Sequence, residues 1–309
     1  METKELTDSP PVLIDIGASG GLLSIWKKIA KYSICIGFDA DDRETDFDKN
    51  NTNSEYKKMY IFNKLVSDST LEKNNFYLTK SPFCSSSLKP DNNNLSSYAF
   101  SNLFKVINTI EIQSLSLSDA LQEVGIEYVD WFKTDSQGTD LKIFTNLDDK
   151  IIQNVIVADF EPGIIDAYIG EDKIYDIMKY MDNKGFWVSN CDIKGSPRIK
   201  FEHAKQKLKL NKLSLIECCQ KISPGWVELS YFSSFNDSEI NKRKILLGCA
   251  FSILKKQYGF ALELSEIGIN HFNEPIFYQI NDFCLKKMKQ GLIKRFPLLV
   301  VKRLYQKFF

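Results

Sequence analysis

VLIDIGASGGL, residues Val12–Leu22, runs from an apolar stretch through one acid, Asp15, into the glycines Gly17, Gly20 and Gly21. Glycines at a strand end let the backbone turn tightly and approach a ligand without a Cβ in the way. Leu22–Ala30 follows with helical spacing. The next apolar run, Ser33–Phe38 (SICIGF), closes on Asp39, 24 residues after Asp15. A carboxylate there can accept hydrogen bonds from both ribose hydroxyls of a nucleoside. The glycines alone fit a ligand-free turn equally well, so Asp39 carries the functional reading.

Beyond this unit the pattern continues to alternate. Met59–Val66 reads as a third strand, and residues 67–102, rich in Ser, Asn and Lys, as an ordered loop or insertion. Leu117–Glu123, Leu141–Asn146 and Asp172–Asp182 have helical spacing, while Tyr128–Lys133 and Asn154–Phe160 read as strands. Gly185–Cys191 and Trp226–Phe232 follow with no obvious crossover helix, which predicts an antiparallel pair at one edge. The expected fold is therefore α/β, a Rossmann-like, mostly parallel sheet with an antiparallel edge pair and a C-terminal helical extension. Residues 1–235 would form the sheet domain and 236–309 the extension. Its helices are predicted at Ile240–Tyr258, Glu263–Ile269 and Ile276–Phe309, the last interrupted by Pro297.

The formal charge is zero, with 40 basic and 40 acidic residues in 309. Phe283–Phe309 holds eight of the basic residues and no acid, so the rest of the chain carries 32 against 40, a net of −8. An apolar content of 43% excludes general disorder. Only five of the basic residues are Arg, which argues against nucleic acid as a partner. Seven scattered cysteines without a CxxC pair read as reduced thiols. With no apolar leader in Met1–Pro11 and no spanning stretch, the expected location is cytoplasmic.

Asp15 just before the turn suits a cationic nucleoside cofactor better than a pyrophosphate, whose GxGxxG spacing is also absent. Tyr175 and Lys179 match the Tyr-x-x-x-Lys pair of short-chain reductases, but without a suitably placed serine.

The ordered series DIGASGG (15–21), GFDAD (37–41), LVSDS (65–69), CSSSL (84–88), LSDALQEVGI (117–126) and YVDWFKTDSQGTDLKIF (128–144) resembles the FkbM family of S-adenosylmethionine-dependent O-methyltransferases. The resemblance covers roughly residues 10–235 and implies a class I methyltransferase sheet. It implies that Asp15, Gly17, Ala18, Ser19 and Gly20 bracket the methionine portion of S-adenosylmethionine, that Asp39 and Ala40 meet the ribose, and that Ser67 and Asp68 face the adenine. Asp135 would stand beside the methyl group and the acceptor. GFDAD departs from the family's frequent Glu-Pro at the second strand.

Methyl transfer to oxygen needs alignment and a base for the hydroxyl proton. Asp135 is the first candidate base, set against a role in orienting the cofactor or capping a helix. Asp159 and Glu161, in ADFEP, are the next, and His203 is a lone histidine in the sheet domain. The three acids could also hold a divalent ion, although no metal is predicted. The resemblance implies a sugar hydroxyl as acceptor, on a bacterial polysaccharide or a glycosylated natural product, and a lipid-linked glycan is a further candidate. Ser85–Ser87, Asn92–Asn94 and Tyr98, with Phe83 and Phe100, could contact it or simply form a solvated loop. The Trp187 and Trp226 strands read as core. The basic, apolar tail could pack on the body, join copies of the chain, or lie on the inner face of the plasma membrane. A non-catalytic nucleotide-binding scaffold and an NAD-dependent oxidoreductase are the alternative functions.

Overall fold

The computed structural model describes residues 3–18, 21–41, 43, 55–67, 72–235 and 241–308, and in the last helix the side chains only through Phe296, Arg295 excepted. Two compact units emerge, one of residues Thr7–Phe235 and one of Thr3–Leu6 with Asn236–Phe309. Ser19, Gly20 and Asp68 lie outside the described residues.

The first unit is built on strands β1 (Val12–Ile16), β2 (Ile34–Phe38), β3 (Lys58–Phe62), β4 (Leu65–Val66), β5 (Lys73–Thr79), β6 (Val106–Leu115), β7 (Trp131–Thr134), β8 (Val157–Phe160), β9 (Phe186–Ser196) and β10 (Ser223–Ser233). Seven of them form one sheet in the order β3-β2-β1-β7-β8-β10-β9. β1, β2, β3, β7 and β8 are parallel, and β10 runs antiparallel to both β8 and β9. This is the mixed Rossmann-like sheet with the edge pair that the apolar runs predict. Every residue of β1 and β2 is buried, as a strand covered on both faces requires. Phe132, Phe144 and Phe160 interlock edge to face across the core, with ring centroids 4.9–5.8 Å apart.

Strand order reverses between β1 and β7, the switch point where an open α/β sheet leaves a crevice at its carboxyl ends. Asp130 secures the opposite end of that junction. Its carboxylate accepts the Val12 N–H at 2.9 Å, and its carbonyl accepts the N–H groups of Ile156 and Val157.

Three local expectations change. The stretch Leu22–Ala30 forms 3₁₀ turns at Ser24–Lys28 and Ala30–Tyr32 instead of an α-helix. Asp15 accepts the Leu23 N–H at 3.1 Å and Trp26 is buried edge-on against Trp131, so the segment is pinned at both ends of a short path. The Met59–Val66 run breaks after Phe62, and Leu65–Val66 joins a second, three-stranded sheet in the order β4-β6-β5. The 67–102 stretch contributes β5 to that sheet and a short helix at Asn92–Leu95.

The second unit holds helices at Lys242–Leu254, Tyr258–Phe272 and Pro275–Phe308. Asn241 caps the first by accepting the Lys244 N–H. Lys242 pairs with Glu274 and, at 2.7 Å, with Glu5. The last helix runs through Pro297, contrary to the expected interruption. A missing amide proton removes one backbone bond there without ending the helix. No helix among the described residues is long and apolar enough to cross a membrane. Gly268 faces the Phe277 ring so closely that any Cβ would overlap it. Gly268→Val is therefore expected to lower the stability of this unit by about 1–3 kcal/mol, read as an earlier urea midpoint by circular dichroism.

Candidate functional site

The glycine turn is fixed by bonds to neighbouring strands. The N–H groups of Gly17 and Ala18 both donate to the Phe38 carbonyl, and the Asp135 N–H donates to the Ile16 carbonyl. Gly17 has φ of 75°, and a Cβ there would overlap the Asp135 carbonyl. The ends of β1, β2 and β7 thus approach as closely as backbones can.

Register places Asp15 between Gly37 of β2 and Lys133 of β7. Lys133 Nζ lies 2.7 Å from Asp15 Oδ1 and also donates to the Gly17 carbonyl. Burial raises the pKa of Asp15 against the pull of Lys133. Burial alone would lower that of Lys133, but Asp15 and Asp135 hold it above its usual value. Asp15 therefore does not present a free charge, and it does not line the cleft. Its role is to shape the turn.

The cleft itself is lined by Ile16, Gly17, Asp39, Ala40, Leu65 and Asp135, among others. Asp39 is 5% exposed. Its Oδ1 accepts the Asp41 N–H at 2.9 Å, while Oδ2 has no hydrogen-bond partner among the described residues. Burial pushes its pKa up to about 6. A buried carboxylate oxygen without a donor is costly unless a ligand supplies one. Asp41 is instead held by Arg43, whose guanidinium also donates to Ser85 Oγ and the Thr79 carbonyl. Ser67 does not line the cleft, and its N–H donates to the Leu115 carbonyl.

A second cavity, about 330 Å³, adjoins the first and shares Phe83, Asp135 and Gln137 with it. This volume lies within the range of small-molecule pockets. Asp135 Oδ1 accepts the Gln137 side-chain amide at 2.6 Å. Gln137 is held at φ of 58°, a conformation uncommon for a side-chain-bearing residue. Three partners fix it there. Its carbonyl accepts Ser86 Oγ at 2.8 Å, its Oε1 lies 2.8 Å from the Tyr168 hydroxyl, and its amide donates to Asp135. The Ser85–Ser87 run is thus committed in part to holding the wall together.

Glu161 and Asp135 face one another. Burial, then the charges of Asp135 and Asp140, push the pKa of Glu161 up to about 9. Burial also raises Asp135, while Lys133 and the hydrogen bonds from Gln137 and Glu161 draw it back. Burial and the like charge beside it thus favour a proton on Glu161, while Lys133 favours the ionised form of Asp135. Both are positioned by Asp140, which is fully buried. Its carboxylate accepts the Ser136 N–H at 2.9 Å, Ser136 Oγ at 2.5 Å and the Glu161 N–H at 2.7 Å.

The remaining candidates separate from this centre. Asp159 accepts Trp131 Nε1 at 2.8 Å and Ser230 Oγ at 2.6 Å, so it serves the sheet. His203 is exposed at the end of the short helix Phe201–His203 and lines neither cavity. Tyr175 is 65% exposed, outside both cavities. No group of three His, Cys, Asp or Glu residues among the described ones is arranged to hold a metal ion. Trp226, expected in the core, lines the second cavity with Tyr168 and Glu171, which the sequence reading passed over. The signal for the latter two was their place just after the ADFEPG turn, where loops follow a strand's carboxyl end.

Two measurements check this arrangement. Asp140→Ala leaves two N–H groups without acceptors and should cost about 2–4 kcal/mol in urea unfolding. Glu161 has a folded pKa raised above its unfolded value, so its contribution is present below about 4.5 and is lost as pH rises through about 9. Stability should fall between pH 5 and 9, and Glu161→Gln should flatten that fall, by at most about 1.4 kcal/mol per pH unit.

Residues 39–188 match the model of the methyltransferase FkbM domain. That span begins at Asp39, so the glycine turn lies upstream of it and the match is narrower than residues 10–235. No curated protein matches the sequence. A protein of the NADB-Rossmann superfamily from Streptococcus agalactiae is similar at 12% identity, covering 93% of this chain and 96% of its own, with a TM-score of 0.32. An uncharacterized protein from Listeria monocytogenes serotype 4b is similar at 9% identity, covering 95% and 97%, also with a TM-score of 0.32. Likeness that slight supports no conclusion about function. The sheet order is this chain's own, and residues 39–188 of it are similar to the methyltransferase FkbM domain.

Proposed function

We propose that the protein is an S-adenosylmethionine-dependent O-methyltransferase acting on a hydroxyl of a sugar. The observation that carries this reading is the meeting of two cavities at Asp135, one lined by Asp39, whose Oδ2 has no partner among the described residues, and the other by Glu161. The residues present fit the cofactor. Asp39 Oδ2 is a buried acceptor that ribose hydroxyls would satisfy, and Gly17 leaves backbone open where a Cβ could not stand. Asp39 and Ala40 would hold the ribose, Leu65 and Val66 would flank the base, and Gly17 and Asp135 would border the methionine end.

When bound, S-adenosylmethionine supplies a methyl group on a cationic sulfur, activated for in-line displacement by an oxygen nucleophile. The chain's own part is positioning and proton custody. Gln137 fixes Asp135 in one orientation, and Glu161 keeps its proton so that Asp135 carries the negative charge. Asp135 then takes the acceptor's hydroxyl proton as the C–O bond forms. The walls on either side exclude water and set the approach line.

A dinucleotide reading is less well supported. The segment after the glycine turn is 3₁₀, so it offers no α-helix N-terminus for a pyrophosphate. The site of action in this reading is cytoplasmic, on a polysaccharide or a lipid-linked glycan.

S-adenosylmethionine, and not NAD, should raise the melting temperature. By calorimetry, Asp39→Ala should abolish cofactor binding. Asp135→Asn should bind within about threefold of the parent and lose at least about tenfold in methyl incorporation into a glycan fraction. Normal binding by Asp39→Ala would sink the placement of the site.

A further inference from the structure

The second cavity has a composition that selects by charge. Phe83, Leu103, Phe104, Ile165 and Trp226 give it an apolar side. The Trp226 ring is stacked on Phe100, 6.1 Å away and 17° from parallel, so its plane is held. Phe83 is 55% exposed and stands where the two cavities meet. The polar side is acidic, with Asp135, Glu161 and Glu171, and no Lys, Arg or His among the described residues lines it.

Glu171 is built into place. Gly163 leaves the space its carboxylate fills, since a Cβ there would stand 2.7 Å from Oε1. Oε1 accepts the Ala167 N–H at 2.8 Å and the Lys173 ammonium at 3.1 Å. Lys173 is buried, and is also engaged by Asp166 at 3.0 Å and by the Ile165 carbonyl. It is therefore not available to an incoming anion.

We infer that this cavity takes an uncharged, hydroxyl-bearing ring with one apolar face, and rejects acceptors that carry an acid group on that ring. The inference rests on reading the cavity as the acceptor side of the methyltransferase. Hydroxyls find both a donor, in protonated Glu161, and acceptors, in Asp135 and Glu171. The apolar face of the ring lies against fixed aromatic carbon. An acid group would lose its water beside the carboxyl groups of Asp135, Glu161 and Glu171, with no lining cation among the described residues to replace it.

Two probes of matched shape test this on the full chain. Para-nitrophenyl glucoside should quench Trp226 fluorescence saturably, and para-nitrophenyl glucuronide should bind at least about tenfold more weakly. Glu171→Gln keeps an acceptor for Ala167 and removes one negative charge, so it should narrow that gap at least about threefold. Trp226→Phe should abolish the quenching. If that variant melts early, Phe83→Ala serves instead, with a weaker affinity for the glucoside expected. Equal or tighter glucuronide binding, no saturable quenching by the glucoside, or quenching that survives Trp226→Phe overturns the inference. S-adenosylmethionine calorimetry on the same samples separates the two readings. Glucoside binding without cofactor binding would sink the methyltransferase assignment alone, and the reverse would sink the charge selection alone.

Discussion

The buried carboxylate of Asp140 is the constraint on which the site depends. It draws the backbone after β7 and the backbone after β8 onto one pair of oxygens, through Ser136 and Glu161. Without that convergence the two strand ends would diverge with the twist of the sheet. Burial raises the Asp140 pKa to about 6, and the Ser136 hydroxyl and backbone donors restrain the rise. The energy of holding this charge in the core is offset by donors that have no other acceptor.

From that tie the electrostatics of the centre follow. Burial and the charge of Asp135 raise the pKa of Glu161, while Lys133 draws that of Asp135 back. Lys133 meanwhile pairs with Asp15, and the charged residues lining the cleft are Asp39, Asp41 and Asp135 with Lys64. The acid that first drew notice in the sequence supports the turn, while the next one along lines the cleft.

The centre of the sheet was legible because β1 and β2 are buried on both faces and therefore read as nearly unbroken apolar runs. VLIDI and ICIGF admit little else once glycines and acids follow them. The small sheet was not legible. KNNFYLT and VINTIEIQSL are half exposed, so polar letters interrupt their pattern and resemble a loop. The segment after the glycine turn misled for another reason. Its apolar spacing suits a helix, yet the Asp15 to Leu23 bond and the buried Trp26 fix a tighter path. Asp39, Asp135 and Glu161 could be found because each ends a strand. Tyr168 and Glu171 come from the loop after β8 and Trp226 from β10, segments that only the folded chain brings together. His203 drew attention through its chemistry alone, with no positional signal, and the fold leaves it at the surface.

Phe83, Asp135 and Gln137 belong to both cavities, and so act as a septum common to two rooms. Residues on the outer walls, such as Asp39 on one side and Trp226 on the other, can change independently in the course of divergence. The septum cannot. A change there alters the fit of both occupants at once, so new acceptors are more readily acquired by varying the far wall than the middle. The strained backbone at Gln137, clamped by Ser86, Tyr168 and Asp135, makes that partition the least adaptable part of the molecule.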